Sequence, residues 1–330
     1  MQNAAYDPRM SLASMNATHG WSTQRFTIES RHLGVAHSDV TYPPDGKPAP
    51  RTTIAMFHGV LRSWNVFLPL TAHLSSRYDL WALDQRGHGS SDRASWYLVT
   101  DYVDDAVAWL RNTFGQQGRV RPVVLYGHSL GAMVAAGAAA ACPELVRAVI
   151  LEDPPFRTLG PHIGATNFHS YFEQISRLIR DPQATTSVPE LARRLADIKF
   201  VDPGSGRSQR LGDIRDPTSL RFSAASLLHV DPHVLDPLIA GDWLDGYDED
   251  AVFAGLRCPV LLLQADTALG GMLVDADVAR IRAAAADVTR VHMPGVGHMM
   301  HWQRTQEIAS LTFNFLEALP VNDISGGTNS

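Results

Sequence analysis

The sequence predicts an α/β protein: a mostly parallel sheet flanked by helices, with its core interrupted by a helical insertion. Three observations carry this. Short apolar runs of strand length alternate with longer runs of helical spacing. Several of the apolar runs end abruptly on glycine, aspartate or histidine. The alternation then stops from about Pro154 to Gly255, where helical runs and Asp-Pro breaks replace it, and resumes at Val260.

Taken in order, residues 1–22 are polar and small and read as a flexible N-terminal segment without the basic-then-apolar pattern of a signal peptide. Arg25–Glu29 and Val35–Thr41 read as a hairpin or meander, closed by the turn Pro43-Pro44-Asp45-Gly46. Thr53–Phe57, Leu80–Leu83, Pro122–Tyr126 and Val146–Glu152 are buried strands, because their apolar residues run without polar alternation. A helix from about Tyr102 carries Val103, Ala106, Val107 and Leu110 on one face, with Asp101, Asp104 and Asp105 at its positive end. Small residues from about Leu130 to Ala141 predict a helix that packs close to the sheet, closed by Pro143. Within the insertion, Tyr171–Ile179 and Leu191–Ile198 are helical, broken at Asp181-Pro182, Asp202-Pro203, Asp216-Pro217, Asp231-Pro232 and Asp236-Pro237. A strand over Val260–Leu263, a helix over Asp275–Ala285, a strand over Val288–Met293 and a helix over Thr305–Leu319 complete the core. The domains are therefore a core of residues 23–153 and 256–319, an inserted helical domain of residues 154–255, and a C-terminal tail of residues 320–330.

Composition excludes several classes. Hydrophobic residues make up 45% and charged residues 19%, enough apolar side chain for a full core and too little charge for disorder. A net charge of −6 gives no footprint for nucleic acid or an anionic membrane. No run reaches the roughly 18 apolar residues that span a bilayer. Cys142 and Cys258 lie far apart with no C-x-x-C spacing, which fits a reduced, cytoplasmic protein. No Walker loop, no G-x-G-x-x-G opening a first helix and no zinc spacing is present, so no cofactor or metal is expected. Oligomeric state is left open.

Gly127-His128-Ser129-Leu130-Gly131 carries the chemistry. It is a G-x-S-x-G pattern with the strand PVVLY running in and the helix LGAMVAAGAAAA running out. A sharp strand-to-helix turn lifts the serine hydroxyl clear of the sheet, and flanking glycines let backbone approach without a Cβ clash. The helix N-terminus aims free N–H groups at a developing oxyanion.

With three further segments this pattern resembles the α/β-hydrolase superfamily from about Arg25 to Leu319. His58-Gly59-Val60 looks like the family's oxyanion segment, Asp84 to Asp92 like the D-x-R-G-H-G-x-S turn of its esterase-like members, and Gly295-Val296-Gly297-His298 like the segment bearing its histidine. The resemblance implies an α/β-hydrolase fold, with a mostly parallel eight-stranded sheet and an inserted helical cap. Carried over, it makes Ser129 the nucleophile and His298 the general base, with the N–H groups of Val60 and Leu130 as the oxyanion hole. His58 then props the oxyanion loop and His88 braces its turn. The pair His292 and His301, and the segment His229 to His233, also have metal-ligand residue types, but neither has a carboxylate and geometry that favour a metal.

The acid departs from the family's pattern. Most relatives carry it in a G-x-x-D loop after the strand equivalent to Val260–Leu263, where this chain has Ala268, with Asp266 two residues earlier. Asp153, at the end of the strand before the insertion, matches relatives such as haloalkane dehalogenases and cofactor-free dioxygenases. Asp153 is preferred and Asp266 is the alternative; strand alternation points Glu152 away from Asp153. A serine at position 129 excludes dehalogenases and epoxide hydrolases of this fold, which use an aspartate nucleophile. The expected activity is hydrolysis of a small carboxylic ester or lactone, apolar or aromatic, through an acyl-enzyme. The alternatives are a carbon–carbon bond hydrolase, a cofactor-free dioxygenase and a non-catalytic ligand receptor. Expected pocket residues are His58, Leu61, Trp64 and Met133, with Val60 and Leu130 at the hole. The insertion aromatics Phe156, Phe168, Tyr171, Phe172, Phe222 and Trp243 either line the pocket or hold the lid together.

Overall fold

The computed structural model describes residues 20–38, 51–116, 121–160, 163–201 and 206–319. The N-terminal segment up to residue 19, the turn at residues 43–46, Asp202-Pro203 and the tail at residues 320–330 lie outside the described residues.

Eight strands form one sheet. They are β1 (Trp21–Ile28), β2 (Arg31–Ser38), β3 (Thr53–Phe57), β4 (Asp79–Leu83), β5 (Val123–His128) and β6 (Val146–Glu152), then, beyond the insertion, β9 (Val260–Ala265) and β10 (Val288–Met293). The missing pair, β7 (Lys199–Val201) and β8 (Ser208–Arg210), is a short antiparallel hairpin in the insertion. The order across the sheet is β1-β2-β4-β3-β5-β6-β9-β10. β1 pairs antiparallel with β2 and β2 antiparallel with β4, and every later neighbour pairs parallel. The interior strands β5 and β9 are buried at every residue, as strands covered on both faces must be.

The period-two alternation of each strand feeds two separate apolar layers. Ala55, Phe57 and Leu125 face a layer with Trp109 and Met133, from the helices α2 (Val99–Phe114) and α3 (Leu130–Ala141). Ile54, Met56, Val124 and Tyr126 face the other, with Leu70 and Leu74 of the helix α1 (Leu68–Leu74) and Ile308 and Leu316 of the C-terminal helix Thr305–Glu317. The nucleophile candidate therefore sits at the C-terminal edge of the most buried part of the sheet. Among the described residues no helix is long and apolar enough to cross a membrane.

Two glycines set how closely α3 approaches the sheet. A Cβ on Gly127 would lie 2.1 Å from the Gly131 carbonyl oxygen, and one on Gly131 would lie 1.9 Å from the Phe57 carbonyl oxygen. Backbone stands in the way in both cases, so no rotamer change relieves the clash. Gly131→Ala should destabilise the protein by about 1–3 kcal/mol or more, and a thermal melt matching wild type would contradict this packing.

The insertion contains helices over Asn167–Arg180, Val188–Ala196 and Pro217–Leu227, besides shorter turns. Its last helix, Glu249–Gly255, lies instead against the core: a Cβ on Gly255 would meet the Ala140 Cβ of α3 at 2.8 Å. Tyr247 likewise donates its hydroxyl to the Met133 carbonyl at 2.9 Å.

Candidate active site

Ser129 ends β5 and opens α3 with φ 56° and ψ −123°, a region that side-chain-bearing residues rarely enter. Its N–H donates to the Glu152 carbonyl at 2.9 Å, tying the turn to the end of β6. Four non-glycine residues among those described have positive φ, and three of them, Leu61, Ser129 and Asp153, belong to this site. Strain of this kind costs on the order of 1–3 kcal/mol per residue and concentrates where function requires it.

A cavity of about 430 Å³ opens over Ser129, a size that suits a small molecule. The core contributes Val60, Leu61, Arg62, His128 and His298 to its lining, and the insertion contributes Phe168, Tyr171, Phe172, Phe200 and Arg215. Among the described residues neither the Val60 nor the Leu130 N–H has a protein acceptor, so both remain open to a ligand oxygen.

The structure seats His298 on Asp153. Its Nδ1 lies 2.6 Å from Asp153 Oδ2, leaving Nε2 as the ring nitrogen available to a partner. Asp153 is fully buried and accepts three backbone N–H groups as well, from Met272 at 2.8 Å, Leu273 at 3.1 Å and Ala265 at 3.3 Å. Asp266 does something else. Its carboxylate accepts the N–H of Ala268 and of Gly295, both at 2.9 Å, so it pins the loop that leads to His298 without touching the ring. Those two N–H bonds hold its carboxyl below the usual range.

Behind Ser129 lies a second histidine–carboxylate arrangement. Glu152 points away from Asp153, and accepts the His301 N–H at 3.0 Å, the His301 Nδ1 at 2.8 Å and the Tyr126 hydroxyl. His128 donates from Nε2 to the His298 carbonyl at 3.0 Å, with the two rings 4.6 Å apart. Burial alone would raise the Glu152 pKa; His301, His128 and the bonds from His301 and Tyr126 reverse this and hold it at about 2. Burial also holds His128 well below the usual histidine range. The ligating atoms of His128, Glu152 and His301 lie within 4.8 Å of one another; Glu152 accepts from Tyr126 and His301 and His128 Nε2 donates to the His298 carbonyl, while His128 Nδ1 and His301 Nε2 have no protein partner among the described residues. The arrangement is a hydrogen-bond network that fixes the segment from His298 to His301. Sequence reasoning weighed His301 only beside His292, which is exposed and takes no part. The His229–His233 segment is also structural: Asp231 accepts the Tyr97 hydroxyl and the His233 N–H, and His233 pairs with Asp236.

Of the expected pocket residues, Leu61 lines the cavity, beside Val60 of the expected hole; His58, Trp64 and Met133 do not. His58 is fully buried, its Nδ1 donating to the Gly59 carbonyl at 2.8 Å and its Nε2 accepting the Gln85 N–H at 3.0 Å. Burial keeps it neutral, far below the usual histidine range. Trp64 packs on Trp21, and Met133 is enclosed beneath α3. His88 supports the same loop: it accepts the Leu61 N–H at 3.2 Å, and burial lowers its pKa to about 4. Of the insertion aromatics, Phe168, Tyr171 and Phe172 face the cavity, whereas Phe156 packs on Phe253, Phe222 on Trp302, and Trp243 is fully buried. Arg62, Arg215 and Phe200 also line the cavity and were not anticipated. Their side chains converge only after folding, and no local pattern marks them.

A family model described as the alpha/beta hydrolase fold matches residues 52–305. The 2-(acetamidomethylene)succinate hydrolase of Mesorhizobium japonicum is 43% identical over 98 residues, 29% of this chain and 34% of that protein. The match thus spans about a third of the relative's length. An sn-1-specific diacylglycerol lipase of Danio rerio is 25% identical over 279 residues, covering 83% of this chain and 80% of the lipase. The crystal structure of the enol-lactonase from Burkholderia xenovorans LB400 superposes with a TM-score of 0.65 at 17% identity, covering 89% of this chain and 100% of that one.

Proposed function

The chain belongs to the α/β-hydrolase family, and on that premise we propose that it is a serine hydrolase cleaving a small carboxylic ester or lactone through an acyl-enzyme on Ser129. One observation carries the reading: a strained serine at a strand–helix turn shares its cavity with a histidine whose far nitrogen is held by a buried aspartate. The names of the similar proteins, which include a lipase and an enol-lactonase, support it as chemistry at an acyl carbon.

The steps follow from the groups present. Ser129 Oγ attacks the acyl carbon while His298 Nε2 takes its proton, and the same nitrogen returns that proton to the leaving alcohol. Asp153 fixes the tautomer with the proton on Nδ1 and stabilises the imidazolium that forms. The Val60 and Leu130 N–H groups receive the oxyanion, each worth about 3–4 kcal/mol in the transition state. Water activated by His298 then releases the acid. The insertion acts as a cap that walls off the apolar part of the substrate.

A fluorophosphonate probe tests this by intact mass and peptide mapping. Wild type should gain one adduct on the Ser129 peptide, and Ser129→Ala should gain none while melting at a similar temperature. A folded wild type that stays unlabelled would remove the nucleophile assignment. The carbon–carbon hydrolase, dioxygenase and receptor alternatives separate by product: acid plus ketone, oxygen uptake, and no turnover, respectively.

A further inference from the structure

Two arginines, Arg62 and Arg215, face the cavity over Ser129, and among the described residues neither has a counter-ion. Arg62 follows the core turn that carries Val60, and Arg215 follows the short helix Leu211–Ile214 of the insertion. Among the described residues neither makes an ion pair. Arg62 donates from Nη1 to its neighbour's carbonyl, Leu61, at 3.1 Å. Other arginines of the chain find carboxylates readily: Arg86 pairs with Asp105, Arg180 with Asp236, Arg194 with Asp181, and Arg280 with Glu249. With 34 acidic residues against 28 basic ones in the sequence, carboxylates are in surplus, yet among the described residues none pairs with Arg62 or Arg215.

Their surroundings make unpaired charge costly. Phe168, Phe172, Phe200 and Leu211 share the lining with them. Arg62 keeps some accessible surface because it faces the cavity, but protein surrounds it closely enough for burial to draw its pKa down to about 10; Tyr171 opposes this and the like charge of Arg215 adds to it. An arginine guanidinium is a cation at neutral pH. Two cations that repel across a largely apolar space are relieved by an anion between them, and the planar donor forks of arginine suit a carboxylate or phosphate.

We infer that Arg62 and Arg215 together bind an anionic group of the substrate, a carboxylate or a phosphate, within a few bonds of the acyl carbon attacked by Ser129. This rests on the serine-hydrolase reading of the same cavity and narrows its substrate to one with an apolar body and an anionic end. Because Arg62 is two residues from Val60, the anion and the oxyanion donor belong to one loop, so seating the anion sets the register of the acyl group in the hole. Because Arg215 comes from the insertion, the same anion draws cap and core together. A neutral ester leaves both charges unpaired and is selected against.

Matched esters test the inference, with each rate corrected for its hydroxide-catalysed hydrolysis. On the acyl side the set is p-nitrophenyl hexanoate, mono-p-nitrophenyl adipate and the corresponding 5-phosphonopentanoate ester. On the alcohol side it is phenyl acetate against 4-acetoxybenzoate. In at least one set wild type should favour the anionic ester in kcat/KM by about tenfold or more. Adipate ahead of phosphonate assigns the carboxylate, and the reverse order assigns the phosphate. Arg62→Gln and Arg215→Gln should each lower the anionic-to-neutral ratio by about tenfold, Arg62→Lys should keep part of it, and Arg215→Glu should invert it. An anionic-to-neutral ratio near one in both sets, with neutral esters still turned over, overturns the inference and leaves the hydrolase reading standing. No turnover of any ester together with no fluorophosphonate adduct overturns the hydrolase reading itself.

Discussion

Asp153→Asn should lower kcat/KM by about four orders of magnitude, while Asp266→Asn should cost far less. The asymmetry comes from what each carboxylate touches. Asp153 Oδ2 is bonded to His298 Nδ1, so an amide there presents the wrong group to the ring and favours the wrong tautomer. Its three backbone donors, from Ala265, Met272 and Leu273, were also placed for a carboxylate and lose a charge-assisted acceptor. Asp266 meets only the N–H groups of Ala268 and Gly295, and its loss loosens a turn. Steady-state kinetics on one chromogenic ester, with both variants checked by melting, read the difference directly. Equal losses in the two variants would dissolve the assignment of Asp153 as the acid.

Glu152→Gln should destabilise the fold by about 3 kcal/mol at neutral pH, the second large effect. Its folded pKa of about 2 lies below the ordinary 4.5, so its contribution is fully present above pH 4.5 and is lost as pH falls through about 2. Wild-type stability should therefore fall across that acid window, and the fall should be shallower in Glu152→Gln. Denaturant midpoints measured at pH 7 and in steps down to pH 3 test both statements. A variant with the wild-type midpoint and the wild-type acid slope would mean that the buried cluster with Tyr126, His128 and His301 adds nothing to stability.

Much of the core was legible because its boundaries coincide with residues of restricted or unusual backbone freedom. The strands Thr53–Phe57, Val146–Glu152 and Val288–Met293 and the helix Leu130–Ala141 fall where the apolar runs end on glycine or proline. The insertion was less legible, and proline is the reason. Asp216-Pro217 reads as a break, yet Asp216 caps the helix Pro217–Leu227 by accepting the Thr218 and Ser219 N–H groups, with proline in its first turn. Pro69 likewise hides the helix Leu68–Leu74, which it opens. Ser129 and His298 were readable because each carries a local signature. The choice between Asp153 and Asp266 was not, since it depends on which way a loop folds back. Trp64 and Met133 were placed near the hole by sequence adjacency, but their large apolar side chains find more burial in the core. Arg62 and Arg215 lie far apart in the chain, and only the seating of the insertion brings them to one space.

The loop that follows β9 serves Asp153 through backbone alone, by the N–H groups of Met272 and Leu273. Yet Leu269 and Met272 also form part of the cavity wall. On the proposed role of Asp153 as the acid, side-chain identity there is uncoupled from proton handling. A library randomising Leu269 and Met272 can remodel which acyl or alcohol groups are accepted while the acid stays where it is, provided proline is withheld from 272 and 273, where it would delete a donor. In a protein whose acid side chain grew from that loop, the same diversity would put turnover at risk. With the acid at Asp153, as proposed, acceptance of new substrates and retention of chemistry can drift independently.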